Sequence, residues 1–462
     1  MMSSFLFRTL GRAASTAGAL TLLGVACGCT ISPTGLGGAG GSGGSPGQQA
    51  CVAATKSGSS SPISPWSRQY PIQLNAMDAD PGGGLFLGGG YSGSPDLGLG
   101  SLAVASNRGD VVAKVSPDGT VLWNHAWSDA SGAIALAADS CGDVFVARVL
   151  ASRQGDEPDY GNQKLWLAKL DSQGELLWEH SYPDEPSYQV FRLLVDARGD
   201  VVMSGHIDGT LDLGDPILTA TGGATGFVGI FAGGTGETRW TRPIKAASSI
   251  GIGVEASGDL YVTGDISRFG GAGVLPQATP DGSLPLARLD PSGQLKAITR
   301  TGPSPDSTGK RGSFMVSPQG AVAAAEVCRT LDDMPAWCLL RFTSDGAPAA
   351  RQIVGAQDPW LPISWSPAPQ VTFDPQGNVV MLNAAVKVVK STSSVSRFLN
   401  LTRMSPTGAI LRAESWPSGS PVETYALRVD ASGGVVFAVT ADSGINVGDG
   451  PELGSFVARH AP

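Results

Sequence analysis

The chain has 462 residues, with 15% charged, 42% hydrophobic, 64 glycines and a net charge of −9. Net acidity argues against a nucleic-acid partner, because phosphate binding needs a basic face. So much glycine with so few charges fits many short strands joined by tight turns.

At the N-terminus, Arg8 and Arg12 precede the apolar stretch AGALTLLGVA, which ends at small residues and cysteine in GVACGCT. That layout predicts a bacterial lipoprotein signal peptide over residues 1–28, with an apolar run too short to span a membrane. A plain secretory signal is the competing reading, but a cysteine at the junction is unexpected there. The lipid is expected on Cys29 or Cys27. Processing before Cys29 leaves four other cysteines, enough for two disulfides, whereas processing before Cys27 leaves five. Ala26 before Cys27, with Leu23 close by, keeps that site open. Losing Arg8 and Arg12 and no acids takes the charge from −9 to −11. Residues 29–62 then hold the lipid-attachment cysteine and a Gly/Ser/Pro-rich flexible linker. The expected location is the cell envelope, with a lipid anchor in the outer membrane.

From residue 63 to 462 one unit recurs seven times. Its first turn reads ADPGGGLFLGG, ADSCGDVFVA, VDARGDVVMSG, VEASGDLYVTG, VSPQGAVAAA, FDPQGNVVML and VDASGGVVFAV. The turn glycine is placed at Gly84, Gly142, Gly199, Gly258, Gly320, Gly377 and Gly433, at intervals of 58, 57, 59, 62, 57 and 56. A second turn follows in stretches such as VVAKVSPDGTVLWNHAW and LWLAKLDSQGELLWEHSY. Alternating runs flank each turn, so each repeat predicts two antiparallel hairpins. Four strands, seven times over, predict an all-β, seven-bladed β-propeller. The seventh unit stops at GSFVARHAP, one strand short, while SPWSRQYP ahead of the first unit matches the fourth-strand wording LWNHAW, LWEHSYP and RWTRP. The N-terminal strand is therefore expected to complete the last blade and cover an edge that otherwise invites aggregation.

The paired strings F/L-V/L-A-K-L/V-D/S-x-x-G-x-L-L-W and V-D-x-x-G-D-V/L-x-V-x-G resemble the SBBP-type β-propeller repeat of bacterial surface and secreted proteins, including myxobacterial lipoproteins, over residues 63–462. The resemblance implies a propeller scaffold and carries no catalytic motif, because that family's repeat positions are structural. Repeats five and six lack the tryptophan, and repeat three has Ile230 where most others have Lys or Arg.

Cys328 and Cys338 flank RTLDDMPAW on the expected second and third strands of blade five, where a disulfide closes the base of the loop. By elimination Cys51 pairs with Cys141. Metal binding is the competing reading, but neither pair has CxxC spacing or a nearby histidine.

Both glycine turns lie at one end of a blade, so the loops joining strands two and three emerge together at the other. They are expected at roughly 88–106, 147–163, 204–224, 263–283, 325–337, 382–396 and 438–454. These loops carry the binding-face candidates Asp156, Glu157, Asp159, Asp208, Asp212, Asp265, Arg268, Asp332 and Asp333, while blade six offers Lys387 and Lys390. Each acid has the alternative of being a solvated turn former. The recurring PDLGLG, GTLDLG and GINVGDG match no standard calcium loop and read better as a repeated turn.

Catalytic motifs are missing from the sequence. His125, His180, His206 and His460 form no metal cluster by spacing, no GxSxG elbow occurs within residues 63–462, and no nucleophile sits beside an evident base. DGTVLW and QGELLW are similar to the tryptophan-docking motif of quinoprotein propellers, with spacing one short before glycine and no vicinal cysteines, so Trp123, Trp178 and Trp240 are expected to pack between blades. The first strands FRLLVDA, IGIGVEA and GSFMVSP give an axis of mostly apolar or small residues, which counts against an enzyme. The resulting expectation is a non-enzymatic lipoprotein that binds a protein or cell-surface glycan, with no cofactor. The alternatives are a structural envelope component or a propeller enzyme, either a quinoprotein-like oxidoreductase, a lyase or a hydrolase.

Overall fold

The computed structural model describes residues 64–461 apart from 103–107, 130–133, 155–156, 183–186, 215–217, 220–224, 245–249, 265–284, 301–310, 330–334, 344–347, 357–368, 390–393, 431 and 449. The strands form seven four-stranded antiparallel sheets and one two-stranded hairpin. Blade one is β2 (Gln73–Ala79), β3 (Leu85–Ser92), β4 (Arg108–Val115) and β5 (Val121–Trp127); blade two is β6 (Ile134–Ala138), β7 (Val144–Gln154), β8 (Glu157–Leu170) and β9 (Leu176–Ser181). Blade three is β10 (Ser187–Val195), β11 (Val201–Asp208), β14 (Thr225–Phe231) and β15 (Thr238–Ile244), with β12 (Thr210–Leu211) and β13 (Leu218–Thr219) as its extra hairpin. Blade four is β16 (Ile250–Val254), β17 (Leu260–Gly264), β18 (Pro285–Leu289) and β19 (Leu295–Arg300); blade five is β20 (Arg311–Val316), β21 (Val322–Arg329), β22 (Pro335–Phe342) and β23 (Pro348–Ala356). Blade six is β24 (Gln370–Phe373), β25 (Val379–Val389), β26 (Ser394–Met404) and β27 (Ile410–Ser418). Blade seven is β28 (Val422–Val429), β29 (Val435–Asn446), β30 (Pro451–His460) and, as its outer strand, β1 (Trp66–Gln69). The N-terminal strand thus closes the ring, with Trp66 opposite Arg459 and Gln69 opposite Phe456.

First strands pack side by side around the axis, from β2 through β6, β10, β16, β20 and β24 to β28 and back to β2. Middle strands are apolar on both faces because each blade is covered on both sides; β4 is buried at every residue but its first. Fourth strands alternate toward solvent, as in β9. The hydrophobic core is accordingly a series of interblade layers: Phe86 with Leu136 between blades one and two, Phe145 with Met203 between two and three, and Leu74 with Val457 between seven and one. Such nearest-neighbour packing lets a ring outgrow the usual limit on a single core.

The first turns share one geometry. In Asp139–Asp143, the Gly142 N–H donates to Asp139 O, and the Asp139 carboxylate accepts the N–H groups of Cys141 and Asp143 at 2.8 and 3.0 Å. The turn in repeat one corrects the sequence reading by one residue. Gly83, with φ 91°, donates to Asp80 O and is the turn glycine, whereas a Cβ on Gly84 would lie 2.2 Å from Val115 O. Three consecutive glycines serve both needs, a left-handed turn and a close backbone approach, and spacing alone cannot separate them.

Outside blade three, the buried turn acids meet a cation from the third strand of their own blade. Lys114 reaches Asp80 at 3.1 Å, Lys169 reaches Asp139 at 2.8 Å, and Arg459 reaches Asp430 at 2.7 Å. Arg288 pairs with Glu255, and Arg403 lies 3.6 Å from Asp374. Burial pulls the Lys169 ammonium down, but its hydrogen bonds and charge contacts with Asp139 and Asp143 outweigh that and hold it above the usual lysine value. Blade three has Ile230 instead, and there Arg198 and Arg239 supply the charge to Asp196 and Asp200.

Tryptophans on the fourth strands join adjacent blades. Trp66, Trp123, Trp178 and Trp240 donate Nε1–H to Pro117, Ser172, Gly233 and Pro291 carbonyls in the next blade's second turn, at 2.8 to 3.1 Å. A Cβ on Gly174, where φ is 87°, would lie 2.9 Å from the Trp123 ring. Gly174→Ala is therefore expected to lower stability by about 1–2 kcal/mol through its left-handed φ, with displacement of the indole in addition; the midpoint of urea unfolding reads it. Ala297, Ala350 and Arg412 occupy the equivalent place in blades four, five and six. In blade five the third-strand Arg341 takes the tryptophan's part, donating to Ser405 O and Pro406 O at 3.3 and 2.8 Å beside Gly408.

A disulfide joins Cys328 on β21 to Cys338 on β22, both buried, with Cα atoms 5.8 Å apart. Cys141 is disulfide-bonded as well. Cys51, like Cys27 and Cys29, lies outside the described residues.

Candidate functional site

Second and third strands meet at the end of each blade opposite the glycine turns, and fourth strands hand over to the next first strand at that same end. Several expected loops there are strand. β7 runs to Gln154 and pairs it with Glu157, and Ser152 pairs with Asp159, so Glu157 and Asp159 sit on a hairpin arm. β25 and β26 pair out to Val389 and Ser394, with Lys387 opposite Ser396. The valine-rich AAVKVV carries the ladder past the expected loop boundary. Asp208 ends β11 and is exposed; Asp212 is exposed too, with Oδ1 accepting the Gly214 N–H at 3.0 Å. Asp156, Asp265, Arg268, Asp332, Asp333 and Lys390 lie outside the described residues. In PDLGLG the Asp96 carboxylate accepts the Gly98 and Gly100 N–H groups at 2.7 and 2.9 Å, and Asn446 does likewise in GINVGDG, so these oxygens are turned onto their own backbone.

Among the described residues, a concave feature of this face lies at the ring axis. A cavity of about 750 Å³ opens among Tyr70, Tyr91, Arg108, Asp110 and Phe191. A second, of about 320 Å³, continues inward past the first strands. The two share Asn75, Ile134 and Phe191 in their walls, so they form one funnel. Register shifts on the first strands at Leu74/Ala76, Val190/Arg192, Arg311/Phe314 and Thr424/Ala426 mark β-bulges in blades one, three, five and seven. The residues in or beside them, Asn75, Phe191, Ser313 and Tyr425, all line the inner cavity, as expected of bulges that re-aim side chains.

The axis is consequently more polar than the first strands suggest in sequence. Arg192 and Arg428 line the inner cavity and qualify the expectation of mostly apolar or small residues there. Arg428 Nε lies 2.6 Å from Asp78 Oδ1, and Asp78 Oδ2 accepts the Ala138 N–H at 2.9 Å. Arg192 Nη1 donates to Phe314 O across the axis. Burial first, then the charge of Arg428, presses the Arg192 guanidinium below an arginine's ordinary value, with Asp78 opposing. Burial, reinforced by a hydrogen bond to Glu423, pushes Tyr425 up to about 12. In sequence the signal was a charge amid three of the seven first strands, in NAMDA, VFRLLV and YALRV.

At the outer wall Arg148 is locked in place. Its Nε and Nη2 donate to Asp110 Oδ2 at 3.1 and 3.0 Å, Nη2 also reaches Asp129, and the guanidinium lies 4.5 Å from the Trp127 ring centroid. The histidines are spread out: His180 contacts Thr235 O, His125 packs on Trp127, His460 stacks on Phe437, and His206 meets Phe191 edge-on. Asp139, Cys141 and Asp143 are the one metal-sized cluster among the described residues. It is poorly suited to a metal, because the sulfur is in a disulfide and both carboxylates pair with Lys169.

No protein-family model and no curated protein matches the chain. Among solved structures it is similar to the β-propeller domain of the Trilobed protease from Pyrococcus furiosus, at 9% identity and TM-score 0.42, covering 80% of this chain and 91% of that one. It is also similar to a mutant of the Synechocystis apocarotenoid oxygenase (11%, TM-score 0.37, 74% and 70%) and to a Bacteroides caccae protein of unknown function (10%, TM-score 0.32, 66% and 89%). These likenesses concern fold alone; the seven-bladed β-propeller is established by the sheet order itself.

Proposed function

We propose that the chain is a lipid-anchored propeller of the cell envelope that binds a protein or cell-surface glycan at its long-loop face, around the mouth of the axial funnel. The funnel carries this reading, because a concave, partly aromatic opening on a rigid ring is the usual form of a binding site. Envelope placement rests on the lipobox at Cys27 and Cys29, the linker and a repeat wording similar to SBBP-type propellers. Binding is favoured over catalysis by the groups at hand. The arginines hold anions but do not exchange protons, and Asp110 is committed to Arg148.

Native mass spectrometry of the protein extracted from its own membranes tests this. A diacylglyceryl-type adduct and a co-purifying partner or glycan are expected. Asp208→Lys on the loop face is expected to lose the partner at unchanged thermal stability, while Gln294→Lys, in the second turn of blade four at the opposite end, keeps it. Loss with Gln294→Lys and retention with Asp208→Lys would put the binding face at the wrong end.

A further inference from the structure

We infer that the inner axial cavity is a site for a small anion, a carboxylate or a phosphate group, held by Arg192 beside Arg428. Two arginines and, among the described residues lining it, no carboxylate form its walls. Asp78, the acid beside them, is already engaged by Arg428 and by the Ala138 N–H. The contacts of Arg192 are neutral: Nη1 donates to Phe314 O and Nη2 lies against Met315 Sδ, each at 2.5 Å. Two cations therefore face one acid inside a ring of first strands, although the whole chain carries −9. A guanidinium in so enclosed a place is costly without a counter-charge, and its planar fork matches the paired oxygens of a carboxylate or phosphate. The volume of about 320 Å³ falls at the small end for ligand pockets, roughly 300–1,000 Å³. Asn75 and Gln370 add polar groups and Phe191 an aromatic face, suiting an anion that carries hydroxyls, such as a sugar acid.

This inference rests on the funnel reading above and deepens it by naming the ligand's charge. Isothermal titration of the full-length protein in detergent at low ionic strength, with glucuronate, inorganic phosphate and neutral glucose as separate probes, tests it. Glucuronate or phosphate is expected to bind one to one, and glucose is not. The anion that binds identifies the group as carboxylate or phosphate. Arg192→Met is expected to weaken binding about tenfold or more, as loss of a charged hydrogen-bond donor does. Arg192→Lys, which keeps the charge and loses the fork, gives a second reading if the first variant does not fold, and a clear loss is expected there too. Silence from both anions, glucose binding as tightly as glucuronate, or unchanged affinity in a folded Arg192 variant overturns the assignment. Partner capture by the wild type without anion binding overturns this inference alone. Anion binding with undiminished capture by Asp208→Lys overturns the loop-face reading alone.

Discussion

Deletion of residues 63–71 is expected to abolish cooperative folding, not to trim a loose end. The segment contains β1, which supplies the outer strand of blade seven through four register pairs with β30. Trp66 Nε1 donates to Pro117 O and Tyr70 Oη to Gly119 O, both at 2.8 Å, so the same strand stitches blade seven to the second turn of blade one. Tyr70 is buried in the layer between those blades, with Trp66 packed against it. Truncating a buried aromatic such as Tyr70 costs about 3–5 kcal/mol, and losing the partly buried Trp66 and the strand pairing with it approaches the entire stability of a typical domain, roughly 5–15 kcal/mol. β30 would also become an open edge able to pair with another chain. Circular dichroism melts with size-exclusion chromatography read the result: no cooperative transition and a shift to aggregates. Removing residues 31–49 from the linker is the control, expected to leave the melt unchanged. A 63–71 deletion that melts within a few degrees of the parent would mean that the ring does not depend on this closure.

The closure was legible because the repeat is grammatical: a missing fourth strand at one end and a spare one at the other match in wording. The turns were legible because Asp or Ser ahead of glycine has a local cause, seen in the Asp139 carboxylate capping two backbone amides. The axis was not legible, and bulges explain why. Alternation tells which face a residue takes only while the register holds, and the shifts beside Asn75, Phe191 and Tyr425 change it within a strand. The long loops of blades two and six were overestimated for a related reason, since strand-forming residues continue past the point where the repeat wording ends. The third-strand cation was visible as the lysine of A-K-L-D, but its partner sits thirty-four residues earlier, at Asp80 for Lys114, and spacing gave no reason to join them.

That cation explains the second large effect expected of a single substitution. Asp430→Ala should cost about 3–5 kcal/mol, the usual result of removing one partner from a buried ion pair. The Arg459 and Asp430 side chains are 2% and 1% exposed and 2.7 Å apart. Asp430 Oδ1 also accepts the N–H groups of Ser432 and Gly434 at 2.8 and 2.9 Å, so the alanine leaves two backbone donors and a guanidinium without their acceptor. Blade five shows what a turn without an acid requires. Ser317 caps Ala321 with its hydroxyl, and the third-strand Arg341 turns away to the carbonyls of blade six. Arg459 does not take that route, because Trp66, its partner across β30 and β1, already donates to the Pro117 carbonyl of the next blade, and Arg459 Nη2 donates to Ser432 Oγ of its own turn at 3.0 Å. The double variant Asp430→Ser with Arg459→Met, which restores a capping hydroxyl and removes the buried charge, is therefore expected to recover most of the loss, since a buried pair replaced by apolar side chains is often nearly neutral. Guanidinium chloride unfolding of Asp430→Ser, Arg459→Met and the double variant measures the coupling. Additive costs in that cycle would show that the acid serves the turn alone and that the ion pair contributes nothing of its own to the ring.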